Sequence, residues 1–548
     1  MKRLIVAGSG FAGLVAALAA DEAGLEPIIY EKGRLLGGAT ALSGGQVWVA
    51  ANHVAARQGL EDDLASAEAY VREMTATHPE LLDEEVMREW LETAPTAARW
   101  LEELGCFEWE IIPGFPDYYY PAYPGSRAEG RYLTPAPLDG RGLGGLRDRL
   151  LPGVHFPSGI TYQELFSWGG QASRRNWDHE LLERRRREDV LTFGQALAGG
   201  LLSAVHARGI PVHTDAQVVA LHRDTKGVVG ATIRISGKDT YVPGAVMLAS
   251  GSYDSDEDLA ERYSGTPAAY AGSVAPDSLT GDALRIATDV GARTQAMPPD
   301  SAARLPSFRL APAYPGDTGD RQCHEHGLPH AIVVDRHGAR FCDDAFPTAI
   351  TEAVLGQRDP DGRHRHLPFF MVWDDRHRRR YGLADVPPNS RYPPGTVVSA
   401  PTIQGLADRL GITPDRLTDT VIRFNSHART GEDPDFDRGS RPWSQRFKGD
   451  GEHVPHPNIG TLEEPPFHGI ELRLSMTGIP AAGLRVTTDS RVVDIDDSPI
   501  PGLYAAGSAT AMTNSGSGYN SGFSLSRGLT GAWLAARHLA RVGHLGAR

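Results

Sequence analysis

Cysteine is scarce in this sequence, with three residues in 548, at positions 106, 323 and 342. Their wide separation gives no metal-ligand spacing, and an odd count gives no disulfide framework, which fits a reducing cytoplasm. An excess of positive charge is also missing. The formal net charge is −14, which argues against a general nucleic-acid surface, because such a surface needs a basic face. No apolar run approaches the ~18 residues that span a bilayer. Internal repeats and low-complexity tails are absent. Met1-Lys2-Arg3 and the apolar stretch behind it superficially match a secretory signal. Glycines at 8, 10 and 13 interrupt that stretch, and Ile28-Ile29-Tyr30-Glu31 supplies another strand, so this region reads as part of the fold. With 41% hydrophobic and 23% charged residues the chain is of ordinary globular composition, long enough for two or three domains.

Glycine is present, and its placement is informative. Gly8-Ser9-Gly10-Phe11-Ala12-Gly13 follows the apolar run Leu4–Ala7 and opens an alanine-rich helix, Leu14–Ala23; Ile28–Glu31 is the next strand. This order makes a βαβ unit for a dinucleotide. Gly8 permits the turn, Gly10 lets backbone amides approach a pyrophosphate, and Gly13 lets helix and strand pack closely. Glu31 ends the second strand, where a carboxylate accepts ribose hydroxyls. Lys32, Gly37, Gly38, Ala39 and Thr40 then run into Ser43, Gly44 and Gly45. So many further amides and hydroxyls suit a ligand longer than NAD, which points to FAD.

Residues from about 62 to 105 are helical by pattern. An irregular aromatic segment follows, Pro113 to Tyr132, with Asp117-Tyr118-Tyr119-Tyr120-Pro121 at its centre. Arg184–Arg187 reads as a solvated helix face. From residue 190, helix Gly194–Arg208 precedes strands near Val212–Asp215, Gln217–His222, Val229–Ile235 and Tyr241–Leu248. Val218, Val219 and the turn Ser250-Gly251 are assigned to the cofactor site. Residues 290–455 read as an inserted domain, with Ala331–Asp335 and Arg336–Phe341 forming a hairpin. The histidines between 324 and 377 lack metal-ligand spacing and read as surface residues. Expected boundaries are 1–289 and 456–548 for the FAD-binding domain and 290–455 for a catalytic cap. The chain returns through Ile470–Leu474, strand Arg485–Thr488 and the turn containing Ala506, Gly507 and Ser508. Ser524 and Leu525 begin a final helix whose N-terminus suits negative charge on a reduced flavin.

Taken together these segments resemble the fumarate reductase/succinate dehydrogenase flavoprotein superfamily, and within it the delta-1 and delta-4-(5α) 3-ketosteroid dehydrogenases. The resemblance runs nearly end to end. It rests on residues 8–13 with Glu31, residues 37–49, the aromatic segment, Gly130-Arg131, Leu138–Gly144, Thr280–Ala292, the 338–341 hairpin, Arg423–Gly439, Gly502–Ala511 and Gly518–Leu525. It implies an α/β fold: a Rossmann-like FAD-binding domain built from both chain ends, with an inserted α+β cap. It also implies non-covalent FAD, since Ala39 stands near the position of the covalent histidine of succinate dehydrogenase. The implied chemistry is α-proton removal next to a ketone and hydride transfer to flavin N5. Tyr519 matches the tyrosine that holds the enolate oxygen, with Gly522 or a neighbouring amide as second donor. Tyr118 matches the tyrosine of the aromatic segment, with Tyr119 as the alternative.

The delta-1 enzymes carry a tyrosine base after the hairpin. Here that stretch is Arg340-Phe341-Cys342-Asp343-Asp344-Ala345-Phe346-Pro347-Thr348, with no tyrosine. The expected function is therefore α,β-dehydrogenation of a bulky apolar ketone, steroid-like or terpenoid, with electrons passing to an acceptor the sequence does not name. An ene-reductase acting on an activated alkene is the alternative, with Arg304 and Arg340 as available cations. A flavin-binding protein with altered catalysis is the third.

Overall fold

A computed structural model describes residues 3–545 apart from Ala302 and Asp385. Its central sheet has six strands, in the order Arg491–Val493, Pro499–Ala505, Ala245–Leu248, Arg3–Ala7, Glu26–Tyr30 and Val212–His213. All neighbours pair in parallel except Arg491–Val493. Strand Arg3–Ala7 lies between a partner 22 or so residues on and one about 240 residues on, so three distant parts of the chain meet in one layer. The two central strands, Arg3–Ala7 and Ala245–Leu248, are buried almost throughout and read as apolar runs, as a covered parallel sheet requires. Helix Phe11–Glu22 is apolar nearly all round because it sits between this sheet and helices Phe193–Ala207 and Phe523–Leu545.

A second sheet forms the cap. Its central strand, Phe467–Met476, pairs with Arg304–Arg309 and Phe369–Trp373 on its two sides, and with Ala271–Ser273 and Val398–Ala400 near its ends. Residues 467–476 and 271–273, expected in the FAD-binding part, pair within this second sheet. A strand pattern shows that a segment is extended but not which distant edge it joins, and these edges are far away in sequence.

Other corrections are local. Ala331–Asp335 pairs with Phe369–Trp373, not with residues 336–341, which form a turn closed by Asp335 N–H to the Ala339 carbonyl at 2.9 Å. In place of Arg485–Thr488, the strand is Ala482–Leu484. The histidines expected at the surface are mostly inside: His326, His330, His364, His366 and His377 are all buried, and no three metal-ligating side chains cluster among the described residues. Arg340 is also taken up internally. It makes a bidentate pair with Asp433 (2.7 Å to each oxygen) and a bond to Asp344 at 3.1 Å. Arg438 joins the same cluster through Asp344. The Arg423–Gly439 motif thus secures the cap instead of facing a ligand.

Candidate active site

Two adjoining clefts lie where the sheets meet. The first, about 950 Å3, runs across the C-terminal ends of the parallel strands, the usual crevice of an open α/β sheet. Gly8, Ser9, Gly10, Phe11 and Ala12 line it, with Glu31, Lys32, Gly38, Ala39 and Thr40 along one side. Val218, Ser250 and Gly251 close another side, and Ala506, Gly507, Ser508, Ser524 and Leu525 complete it from the C-terminal end. Gly13, Gly37 and Val219 do not line it. Gly13 is needed for packing, since a Cβ there would lie 2.0 Å from the Gly8 carbonyl oxygen. Gly37 holds a left-handed backbone (φ 101°) whose amide donates to Ser9 Oγ at 3.2 Å. Val219 is the extra residue of a bulge, between Val218 paired with Ile233 and Ala220 paired with Thr232.

Gly10 is different. Its φ of −72° suits any residue, and a Cβ would meet nothing closer than Thr40 Oγ1 at 3.9 Å. The missing side chain leaves open space above the N-terminus of helix Phe11–Glu22, where a pyrophosphate would be met by free amides. Glu31 Oε2 accepts from Ser9 N–H (2.9 Å) and Ser9 Oγ (2.7 Å), and Oε1 accepts from Gly33 N–H (2.7 Å). Its carboxylate therefore braces the turn as well as facing the cleft. Sequence reasoning missed Gln217, Thr280, Asp282 and Gly478, which also line it. The signals at hand were the helix start at Thr280 and a glycine-rich turn near Gly478–Gly483, neither of which by itself points to the cofactor.

The second cleft, about 1430 Å3, continues past Ala39, Thr40, Gly478, Ser508, Ser524 and Leu525, which line both. Ser43, Gly44 and Gly45 belong to this part, with Tyr118, Tyr519 and Gly522. Tyr119 does not line it; its ring stacks on Tyr123 at 4.4 Å instead. Tyr118 and Tyr519 stand edge to face, 6.1 Å apart. Tyr118 also packs against Trp443 (4.4 Å) and Phe346 (5.8 Å). In the stretch after residue 340, which carries no tyrosine, Thr348 lines the cleft and Phe346 packs behind Tyr118.

Asn520 positions the two tyrosine loops. Its Oδ1 accepts from Tyr70 Oη (2.9 Å) and from the Tyr118 N–H (3.0 Å), while its Nδ2 donates to Tyr132 Oη (2.8 Å). Asp117, buried at 1% exposure, accepts from Trp48 Nε1, Arg131 Nη1 and the Arg127 N–H. Gly522 is required by its φ of 83° and by Trp48, whose backbone nitrogen would lie 2.6 Å from a Cβ. No acceptor among the described residues takes the Gly522 N–H, nor has the Tyr519 hydroxyl a partner there. Burial holds the Tyr519 phenol well above its ordinary pKa, with Tyr118 adding to the effect. It is therefore a neutral donor at working pH. Burial also raises the Tyr118 phenol, with Ser521 pulling the other way.

Around these, the cleft wall is aromatic: Phe115, Phe156, Tyr162, Trp443 and Phe447. Two imidazoles sit in it, both held neutral. Burial, then Arg321, pushes His155 down to about 4, and burial, then Lys448, pushes His324 well below its ordinary value.

Residues 3–525 match the family described as FAD binding domain. The chain belongs to that family. It is 29% identical to 3-oxosteroid 1-dehydrogenase of Mycobacterium tuberculosis, over 98% of each chain. It is 31% identical to 4-oxocyclohexanecarboxylate 2-dehydrogenase of Sinomonas cyclohexanicum, over 98% of this chain and 92% of that one. Its backbone matches 3-ketosteroid delta1-dehydrogenase from Sterolibacterium denitrificans in complex with 1,4-androstadiene-3,17-dione. That match has a TM-score of 0.88 and 25% identity, and covers 99% and 100% of the two chains. The protein is an FAD-dependent oxidoreductase of the class acting on CH–CH groups. The first cleft fits FAD: open space at Gly10, amides at a helix N-terminus, and the Glu31 carboxylate in its lining. No helix among the described residues is long and apolar enough to cross a membrane.

Proposed function

We propose that the protein introduces a carbon–carbon double bond next to the carbonyl of a ring ketone bound in the second cleft. The observation that carries this reading is the pair of unused donors on one short loop, the Tyr519 hydroxyl and the Gly522 amide. Two donors on one loop that lines the cleft are what an enolate oxygen needs as charge develops on it. FAD, when bound, supplies a two-electron hydride acceptor. The α-proton passes to a basic group of the cleft, and the chain's own residues bind and orient the ketone. Tyr519 keeps its proton and so donates throughout. Tyr118, at the aromatic wall, orders the ring beside it. Asn520 holds both loops in register, and the aromatic lining excludes water from the reacting carbons.

By their names the relatives above act on 3-oxosteroids and on 4-oxocyclohexanecarboxylate, and both fall within the proposed class. The three cysteines are buried and unpaired, which supports a reducing, cytoplasmic setting. The electrons leave to an external acceptor in a second half-reaction.

Anaerobic mixing of the yellow protein with saturated ring ketones, steroidal and monocyclic, tests this. Bleaching of the flavin absorbance is the expected result. Failure to bleach with every saturated ketone, combined with re-oxidation of reduced protein by enoates, would reverse the direction in favour of an ene-reductase. Tyr519→Phe should lower kcat by roughly 10²-fold, the scale of one oxyanion donor. Unchanged turnover would remove Tyr519 from the mechanism.

A further inference from the structure

The second cleft contains a charge that nothing in the protein balances. Arg304 lines it, at 2% exposure, from the first position of strand Arg304–Arg309. Its one hydrogen bond is from Nη1 to the carbonyl of the preceding residue, Ala303, at 3.0 Å. Nε and Nη2 are buried without a partner. Those two nitrogens form the side of a guanidinium that grips a carboxylate through two parallel bonds. Thr477 follows Met476, the residue paired with Arg304 on the neighbouring strand; it also lines the cleft and has a buried hydroxyl without a partner.

No Asp or Glu lines this cleft among the described residues. Asp254 is the carboxylate whose field reaches Arg304, but it makes no ion pair with it. Its oxygens are committed to Ser252, to Ser273 Oγ at 3.2 Å and to the Gly478 N–H at 2.8 Å. Burial raises the pKa of that carboxyl, which weakens it further as a counter-ion. A second cation, Lys448, shares the cleft, with Nζ 3.3 Å from His324 Nδ1. A lysine can relieve burial by giving up its proton, and burial has lowered this one to about 8. A guanidinium cannot do so. A buried, permanently charged group whose Nε and Nη2 have no partner is too costly to keep for a wholly apolar ligand.

We infer that the substrate is an oxo acid, a ring ketone that also carries a carboxylate, and that Arg304 Nε and Nη2 with Thr477 Oγ1 receive that carboxylate. This rests on the ketone reading given above and narrows it. The ketone oxygen is held by Tyr519 and Gly522 and the carboxylate by Arg304, so two points orient the ring and select which carbon–hydrogen bonds react.

The test uses holoprotein and a planar ring probe in two forms, 4-hydroxybenzoate and its amide, with binding followed by titration calorimetry. The acid should bind at least tenfold tighter than the amide, and Arg304→Met should abolish that preference while leaving amide binding unchanged. In turnover, a ring ketone carboxylate should exceed its methyl ester in kcat/KM. Arg304→Met should raise KM for the acid, with a smaller effect on kcat. Equal binding of acid and amide would overturn the inference. So would loss of the preference in Lys448→Met but not in Arg304→Met, or equal loss of acid and ester turnover in Arg304→Met, which would assign Arg304 to the flavin. Acid preference without flavin bleaching by any ketone would keep the carboxylate site at Arg304 and remove the ketone part of the substrate together with the ketone reading. Bleaching without acid preference would do the opposite.

Discussion

Gly10 and Gly13 belong to one fingerprint and do different work. At Gly13 a methyl group would collide with the Gly8 carbonyl at 2.0 Å, so Gly13→Ala should destabilise the fold itself, with or without flavin. At Gly10 the same methyl group fits the protein but enters the cleft. Gly10→Ala should leave the apoprotein's melting temperature unchanged and weaken FAD binding at least tenfold, ~1.4 kcal/mol. Equal losses of apoprotein stability in both variants would contradict this division. Lys448 gives a pH prediction. Its folded pKa, about 8, lies below the ordinary 10.5, so at neutral pH the folded state carries a buried charge that disfavours it. The penalty, about 3 kcal/mol, is fully present below pH 8 and fades as pH rises towards about 10.5. Lys448→Met should therefore raise the melting temperature at pH 7, with the gain shrinking through that window; a gain that did not vary with pH would refute the assignment. The fingerprint glycines were legible because turn geometry and phosphate access are local requirements. Asn520 was not, because its bonds join residues 388, 402 and 450 positions apart. Arg304 was visible as a cation, but only its packing shows that it has no partner.

At the scale of elements, the βαβ unit and the last helix could be read from the sequence because periodicity and glycine placement are properties of one segment. The cap could not be read to the same degree. Phe467–Met476 is plainly a strand, yet its place in the centre of the second sheet depends on partners about 100 to 200 residues earlier. Likewise Arg423–Gly439 carries the residues of an acidic and basic motif, and only the fold shows that they close on Arg340 and Asp344. That cluster makes a test possible. Asp433→Ala leaves the Arg340 guanidinium buried with one acid instead of two, and should cost about 3–5 kcal/mol, read as a shift in the urea midpoint of the holoprotein. Glu183→Gln, which breaks an exposed pair with Arg186, should leave the midpoint where it was. A small effect of Asp433→Ala would mean that the cluster is not what holds the cap.

For the whole molecule, FAD lies against segments from both chain ends, so binding and folding are linked. Acid precipitation should release intact FAD into the supernatant. Removing FAD should lower the melting temperature, and adding it back at a hundredfold excess over Kd should restore about 2.7 kcal/mol. NAD should not restore it. Flavin remaining in the pellet would refute the non-covalent assignment.

Strand Arg3–Ala7 has one neighbour made almost at once and another made only after residue 245, while Ala245–Leu248 itself waits for Pro499–Ala505. During synthesis the first strands therefore spend most of translation with an unpaired edge and an empty nucleotide crevice. Tyr118 waits as long for Asn520. A chain released early would carry a finished fingerprint and no working site, so the arrangement makes activity a report on complete synthesis.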